Sequence, residues 1–137
     1  CSFTRFSESE SGSDLSRRKL QHMRQRLDLD PGALMQDFWN SWEVSDLYKD
    51  SVIHPSVLKD GLDWIGQWDV GPAVDKLSCP ILALAAQDDT VVIPKMTQKS
   101  WGKRATQMEW SESGGHILPM TRPDWCAEHI QRFVGGL

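Results

Sequence analysis

The sequence feature that most constrains the fold is a short, continuous apolar run at residues 81–86 (ILALAA), directly after Cys79-Pro80. Such a run is typical of a strand buried on both faces of a parallel sheet. Parallel strands need a crossover connection, which is usually a helix. The following residues predict that arrangement, with a helix at 94–102, a strand at 106–110 and an amphipathic helix after Thr121 and Pro123.

The last of these helices has a clear apolar face. It consists of Trp125, Cys126, Ile130, Phe133 and Val134. At its start, Thr121 and Asp124 have the spacing of a capping box, in which side chains bond the free backbone N–H groups of the first turn. His129 is expected on the exposed side of the helix.

Residues 1–70 have a different pattern, of helices joined by loops. A first helix is predicted at 14–27, a second begins at Asp30-Pro31, and a third follows Pro55. Four tryptophans in this half imply a large buried or ligand-facing surface, namely Trp39, Trp42, Trp64 and Trp68. We therefore expect two parts, a helical segment at 1–70 and a strand–helix–strand–helix segment at 71–137.

Composition excludes several classes of function. The net charge of −4 gives no sign of nucleic-acid binding, and no apolar run approaches the ~20 residues of a membrane helix. Cys1, Cys79 and Cys126 form no C-x-x-C pair, which favours a reduced, cytoplasmic setting. The histidines His22, His54 and His129 lack metal-ligand spacing, so neither a metal nor a cofactor is predicted.

Two polar loops follow the two predicted strands. Residues 87–90 (QDDT) follow the first strand, and residues 113–116 (SGGH) follow the second. Ligands of open parallel sheets bind beyond the carboxyl ends of the strands. Asp89 and His116 should therefore meet at one rim of the sheet, where a carboxylate can hold an imidazole in one tautomer and stabilise its protonated form.

Each of these loops also has an ordinary structural explanation. Asp-Asp-Thr after a strand is common turn chemistry, and Gly-Gly-His is often only a loop. Occurring together, in order and on consecutive strand ends, they favour a catalytic acid and base. The two glycines before His116 allow a sharp turn and a close approach of the backbone.

The two loops and their flanking residues resemble the closing section of the α/β-hydrolase fold. The matching stretches are CPILALAAQDDTVVIP and SGGHILPMTRPDWCAEHIQRF, at residues 79–94 and 113–133. That family keeps an acid after its seventh strand and a histidine after its eighth, in the chain order Ser…Asp…His. The resemblance implies that Asp89 and His116 are catalytic, with Asp88 the weaker candidate for the acid.

A closer resemblance covers nearly the whole chain. CSFTRF at the start and GLDWIGQWDVGPAVDKLSCP at 61–80 are similar in order and spacing to the pimeloyl-acyl-carrier-protein methyl ester esterases of biotin synthesis. The resemblance implies a helical cap at 1–70, followed by the last βαβα portion of an α/β-hydrolase core at 71–137. It also implies a small acyl ester as substrate, in the form linked to an acyl-carrier protein.

The nucleophile of such an esterase is missing from the sequence. No G-x-S-x-G elbow is present, and none of Ser7, Ser9, Ser11 and Ser113 has glycine at both flanking positions. Two parallel strands also make a poor sheet, because both faces and both edges need cover. We therefore expect a serine carboxylesterase that is inactive until an N-terminal half supplies the nucleophile.

Other functions stay open at this point. The chain can be a degenerate, non-catalytic hydrolase fragment or interaction module that retains these residues by descent. Within the fold, dehalogenases, peroxidases and C–C bond hydrolases are alternatives, because their specificity depends largely on the nucleophile position and the oxyanion loop.

Further candidate residues concern substrate and partner binding. Phe38, Trp39 and Trp42 are expected to wall an acyl-chain channel, with ordinary packing as the alternative. Ile117 and Leu118 are candidates for lining the mouth of the site, and core packing is the favoured explanation for both. Arg17, Arg18 and Arg24 are candidates for docking an acidic carrier protein, and a solvated helix face is the alternative.

Overall fold

The computed structural model describes residues 2–6, 13–41 and 54–136. Over these residues the protein is a mixed α/β structure, with seven helices and one two-stranded parallel sheet. The chain divides into two compact units. The helical unit is Arg5–Asp69, and the α/β unit is Cys1–Thr4 together with Val70–Leu137.

The helices and strands follow one another in a simple order. The helical unit holds α1 (Ser13–Leu29), α2 (Pro31–Asn40) and α3 (Pro55–Gln67). The α/β unit holds α4 (Gly71–Val74), β1 (Leu82–Ala86), α5 (Pro94–Trp101), β2 (Gln107–Ser111), α6 (Leu118–Thr121) and α7 (Pro123–Gly135). In the described residues, no helix is both long enough and apolar enough to span a membrane.

The helical unit is built by α1 packing against both α2 and α3. Leu27 of α1 and Leu34 of α2 are its buried apolar side chains among the described residues. Asp30 caps α2, because its Oδ1 accepts a hydrogen bond of 2.9 Å from the Ala33 N–H, and Pro31 opens the first turn. Ion pairs link the helices at their surfaces, namely Arg24–Asp63, Arg26–Asp37 and Lys59–Asp28.

The α/β unit is centred on strand β1. β1 pairs with β2 in parallel, from Leu82 opposite Gln107 to Ala86 opposite Ser111. Both α5 and α7 contact β1. Ala86 packs with Leu118 and Cys126 in one buried cluster, against which Leu84 and Trp125 also lie. Small side chains in β1 let these helices approach the strand closely.

The chain enters and leaves the helical unit at neighbouring points. Arg5 and Asp69 form an antiparallel β-bridge, and their side chains pair at 3.5 Å. In the α/β unit, the Val70 N–H donates to the Thr4 carbonyl oxygen at 2.9 Å. Ser100 on α5 accepts from the Thr4 N–H at 3.2 Å. Residues 2–4 are therefore part of the α/β unit, although the sequence analysis grouped them with the helices.

The helix and strand boundaries agree closely with those expected from the sequence, but two details of α7 were wrong. The expected capping box does not form. Arg122 is the N-cap residue and makes no side-chain cap, while the Thr121 hydroxyl donates to the Gly114 carbonyl oxygen at 2.6 Å. His129 is not on the exposed face, since its side chain is only 13% exposed. It donates to the Trp125 carbonyl oxygen at 2.8 Å and packs on that indole ring.

Candidate active site

Asp89 lies in the loop that follows β1. Its N–H donates to the Ala86 carbonyl oxygen at 3.4 Å, which closes a turn directly after the strand. Its Oδ1 accepts hydrogen bonds from the Val91 and Val92 N–H groups, both at 2.9 Å. The side chain is fully buried. The orientation of the carboxylate is thus fixed by backbone N–H groups of its own loop, independently of His116.

His116 lies in the loop that follows β2, and two glycines shape that loop. Gly114 has φ +132° and Gly115 has φ +60°, both in the region that favours glycine. A Cβ atom at Gly114 would lie 2.5 Å from Cδ1 of Leu118, whereas one at Gly115 would meet nothing within 4 Å. Gly114 is therefore required both by its dihedral angle and by the lack of space.

The two loops bring Asp89 and His116 into contact. Oδ2 of Asp89 lies 3.1 Å from Nδ1 of His116, and the imidazole side chain is 20% exposed. This is the arrangement that the strand order predicted. An acid on one strand end holds a histidine on the neighbouring strand end, and the ring keeps limited access to solvent.

The pKa of Asp89 reflects two opposing effects. Burial raises the pKa, whereas the hydrogen bonds from His116, Val92 and Val91 together lower it by more than burial raises it. The pKa of Asp89 therefore lies below its ordinary value. The carboxylate is therefore ionised at neutral pH and can only accept hydrogen bonds. We accordingly assign the Nδ1 proton to the His116–Asp89 bond, which leaves the basic lone pair of the neutral ring on Nε2.

Asp88 contributes to the site in a way that the sequence analysis missed. Its Oδ2 accepts from the Gly114 N–H at 3.2 Å, and its Oδ1 accepts from the Gly115 N–H at 2.8 Å. The sequence indicates Asp88 only as the weaker candidate for the acid. The sequence does carry a signal for this role, namely two adjacent carboxylates in QDDT. Because only one of them can be the acid, the other is available for a different contact.

Two hydroxyl groups hold the same loop from within its own segment. Ser111 Oγ donates to the Ser113 carbonyl oxygen at 2.6 Å, and Thr121 Oγ1 donates to the Gly114 carbonyl oxygen, also at 2.6 Å. The loop before His116 is thus bonded at successive peptide groups. Its backbone, with two positive φ angles, is thus held by side chains that precede it and follow it in the chain.

The neighbours of His116 differ from each other in their surroundings. Leu118 is 1% exposed and belongs to the buried cluster with Ala86 and Cys126, so it is a core residue. Of the two explanations for Leu118, core packing is therefore confirmed, and a place for its side chain at the mouth of the site is not. Ile117 is partly buried and precedes α6.

The expected acyl-binding residues belong to the helical unit. Phe38 lines a cavity of about 210 Å³ with an almost wholly apolar lining. The other lining residues come from α1, α2 and α3, and they are Met23, Leu27, Leu34, Met35, Val57, Leu58, Gly61, Leu62 and Ile65. Trp39 is partly buried on α2 but does not line this cavity. Trp42 lies outside the described residues.

The expected carrier-protein residues lie on α1. Arg24 forms an ion pair with Asp63 of α3, so its charge is already used within the helical unit. Arg17 and Arg24 flank the same shallow hollow, and the side chains of Arg17 and Arg18 are exposed. In the described part of the chain, no group of three or more His, Cys, Asp or Glu side chains is arranged to hold a metal ion.

The arrangement is suited to proton transfer. An ionised, buried carboxylate orients an imidazole whose second nitrogen can take up a proton and return it. Comparison of the chain with protein-family models and with curated proteins gives no match.

Proposed function

We propose that this chain is the cap and C-terminal part of an α/β-hydrolase-type serine carboxylesterase, with Asp89 and His116 as its acid and base. One observation carries the proposal. A buried carboxylate after β1 meets an imidazole after the parallel neighbour β2 at 3.1 Å. That chain order and strand placement are those of the last two members of a Ser…Asp…His triad.

In the proposed reaction His116 acts first as a base and then as an acid. Its Nε2 removes the proton from a serine hydroxyl as the serine oxygen attacks the ester carbonyl carbon. Asp89 stabilises the resulting imidazolium, which then protonates the departing alkoxide. Water repeats the sequence to release the acyl group. The serine and the oxyanion-hole donors come from residues outside this sequence, and the reaction uses neither a metal nor an organic cofactor.

The proposed substrate is an ester of a short or medium acyl chain, such as the pimeloyl methyl ester of the resembled esterases. The apolar cavity beside Phe38 supports an aliphatic acyl group over a polar one. Exposed Arg17 and Arg18 support an acidic carrier protein as partner. The free thiols of Cys79 and Cys126 favour a cytoplasmic location for this activity.

Hydrolysis of a p-nitrophenyl ester tests the proposal. The coding sequence upstream of Cys1 is read first, and an in-frame G-x-S-x-G motif directs expression of the longer polypeptide. That polypeptide should hydrolyse the ester, and His116→Ala or Asp89→Asn should each lower kcat by roughly 10⁴-fold. The exposed variant His54→Ala should retain full activity. Equal turnover without His116 would refute the proposal.

A non-catalytic interaction module is the second candidate, and the lack of a G-x-S-x-G elbow in the sequence favours it. In that case Asp89 and His116 stabilise the loops and do no chemistry. A start codon directly before Cys1, together with no esterase activity of the chain under any pairing, would favour this second function.

A further inference from the structure

We propose that Asp88 is a positioning residue, which sets the His116 ring against Asp89 by holding the backbone of the glycine loop. The inference rests on the proposed role of His116, but it concerns the geometry of the ring and not the ester reaction. Asp88 acts through the peptide groups of Gly114 and Gly115, whose N–H groups donate to its carboxylate.

The contacts of Asp88 connect the two loops that carry the acid and the base. Ser111 and Thr121 bond the glycine loop from its own segment. Asp88 bonds the same loop from much earlier in the chain, 26 residues before Gly114 and 27 residues before Gly115. It directly precedes Asp89, the acid. Any shift of the acid loop is thus passed to the backbone that carries His116, and the distance from Oδ2 of Asp89 to Nδ1 of His116 is kept constant.

The backbone that Asp88 holds is costly to keep in place. Glycine loses the most conformational freedom of any residue when it is ordered, and two consecutive glycines with positive φ need an external constraint. A carboxylate that accepts two backbone N–H bonds supplies such a constraint, and charge-assisted bonds are stronger than neutral ones. Without them, the loop samples conformations in which His116 leaves Asp89.

The two neighbouring carboxylates therefore have different roles, one toward the His116 ring and one toward the backbone. Asp89 is buried and bonds the ring, whereas Asp88 is exposed and bonds the main chain that leads to the ring. A purely electrostatic contribution of Asp88 to His116 would differ from positioning in one respect. It would persist when the Asp89–His116 bond is removed, while positioning has no effect once there is no partner for the ring.

The experiment uses the 137-residue chain, labelled with ¹⁵N, and the variants Asp88→Ala, Asp88→Asn and Glu112→Ala. In Asp88→Ala, amide hydrogen exchange at Gly114 and Gly115 should speed up by about tenfold or more, because both bonds are lost. The ring ¹⁵N shifts should show a smaller fraction of neutral His116 with its proton on Nδ1. Asp88→Asn keeps one acceptor oxygen and should be intermediate, which preserves the test if the alanine variant folds poorly.

Two controls separate positioning from charge. Glu112→Ala removes an exposed carboxylate from the same loop and should change neither measurement. In an Asp89→Ala background, which leaves the ring without its partner at position 89, Asp88→Ala should still speed glycine exchange but no longer change the His116 tautomer. An unchanged tautomer in Asp88→Ala alone, unchanged glycine exchange, or a tautomer change of equal size in the Asp89→Ala background would each overturn the proposal. Since no ester is involved, these results are independent of whether the esterase proposal stands.

Discussion

At the scale of single residues, the site depends on how Asp89 is bonded more than on where it lies. Burial alone would raise the pKa of its carboxyl group and favour the neutral form. Three hydrogen bonds, from His116, Val92 and Val91, reverse that effect. The same bonds that keep Asp89 ionised also fix its orientation, so charge and geometry have a common origin.

The lowered pKa of Asp89 predicts a specific pH dependence of stability. Because the folded-state pKa lies below the ordinary value of 3.8, Asp89 stabilises the fold above that pH and loses this effect as the pH falls through its folded pKa. Asp89→Asn should lower the free energy of unfolding by about 1–3 kcal/mol at pH 7. The difference should shrink below about pH 4. Urea unfolding at several pH values measures it.

The exposed substitution Asp60→Asn is the matched control for that prediction. It makes the same chemical change on α3, where the carboxylate is not buried. Its effect on the free energy of unfolding should be small at every pH. Parallel stability curves for wild type and Asp89→Asn across the acid range would contradict the assignment of an ionised, bonded carboxylate.

The two glycines before His116 provide a second residue-scale prediction. Gly114→Ala adds a Cβ that would lie 2.5 Å from Leu118, at a φ of +132°. It should destabilise the chain by about 3 kcal/mol or more, since steric overlap adds to backbone strain of about 1–3 kcal/mol. Gly115→Ala meets no neighbour and should cost only about 1–2 kcal/mol. Thermal unfolding compares the two variants, and equal effects would contradict the described loop.

At the scale of helices and strands, the local chemistry is consistent enough to be read from the sequence. Prolines mark the first turns of α2, α3, α5 and α7, where their missing N–H costs nothing. The apolar run of β1 predicted a buried strand, and both α5 and α7 contact it. These signals depend on neighbours in the chain, which is why they predicted the boundaries well.

Contacts between distant residues were harder to predict. The bonds from Asp88 to Gly114 and Gly115 depend on the parallel register of β1 and β2, which no local pattern encodes. The capping box failed because α6 ends immediately before α7, and Thr121 there bonds the histidine loop. Only the Asp89–His116 contact could be anticipated, because parallel topology brings consecutive strand ends to one rim.

Helix α3 gives a prediction of opposite sign to those above. Gly61 lies inside the helix, and a Cβ added there would meet nothing within 4 Å. Gly61→Ala should therefore stabilise the chain by about 1 kcal/mol, because alanine is the better helix former. Gly102→Ala should destabilise it, since its Cβ would lie 2.6 Å from the Gln98 carbonyl oxygen. Denaturant midpoints for both variants check this, and a loss of stability in Gly61→Ala would contradict it.

At the scale of the whole molecule, the two-stranded sheet is the feature with the largest consequence for behaviour in solution. Within the described residues, β1 and β2 pair only with each other. Each strand then has an outer edge whose backbone groups can bond another chain. These two outer edges are where further strands of a larger sheet would join, and where copies of the chain can meet.

We predict that the isolated chain self-associates through these outer strand edges. Its sedimentation coefficient should rise with protein concentration. Met108→Lys places a charge in β2 and should reduce association, because charged side chains on edge strands oppose pairing. Lys99→Met, which removes a charge from α5, should not reduce it. A wild-type chain that stays monomeric at all concentrations would contradict the prediction.

The bridge between Arg5 and Asp69 bears on how such a protein can diversify. The polypeptide leaves the α/β unit and returns to it at adjacent points, with Thr4 hydrogen-bonded to Val70. Lengthening a connection whose ends already meet costs little, about 0.6 kcal/mol for each doubling. The length of the helical unit can therefore change while the Asp89–His116 pair stays in register.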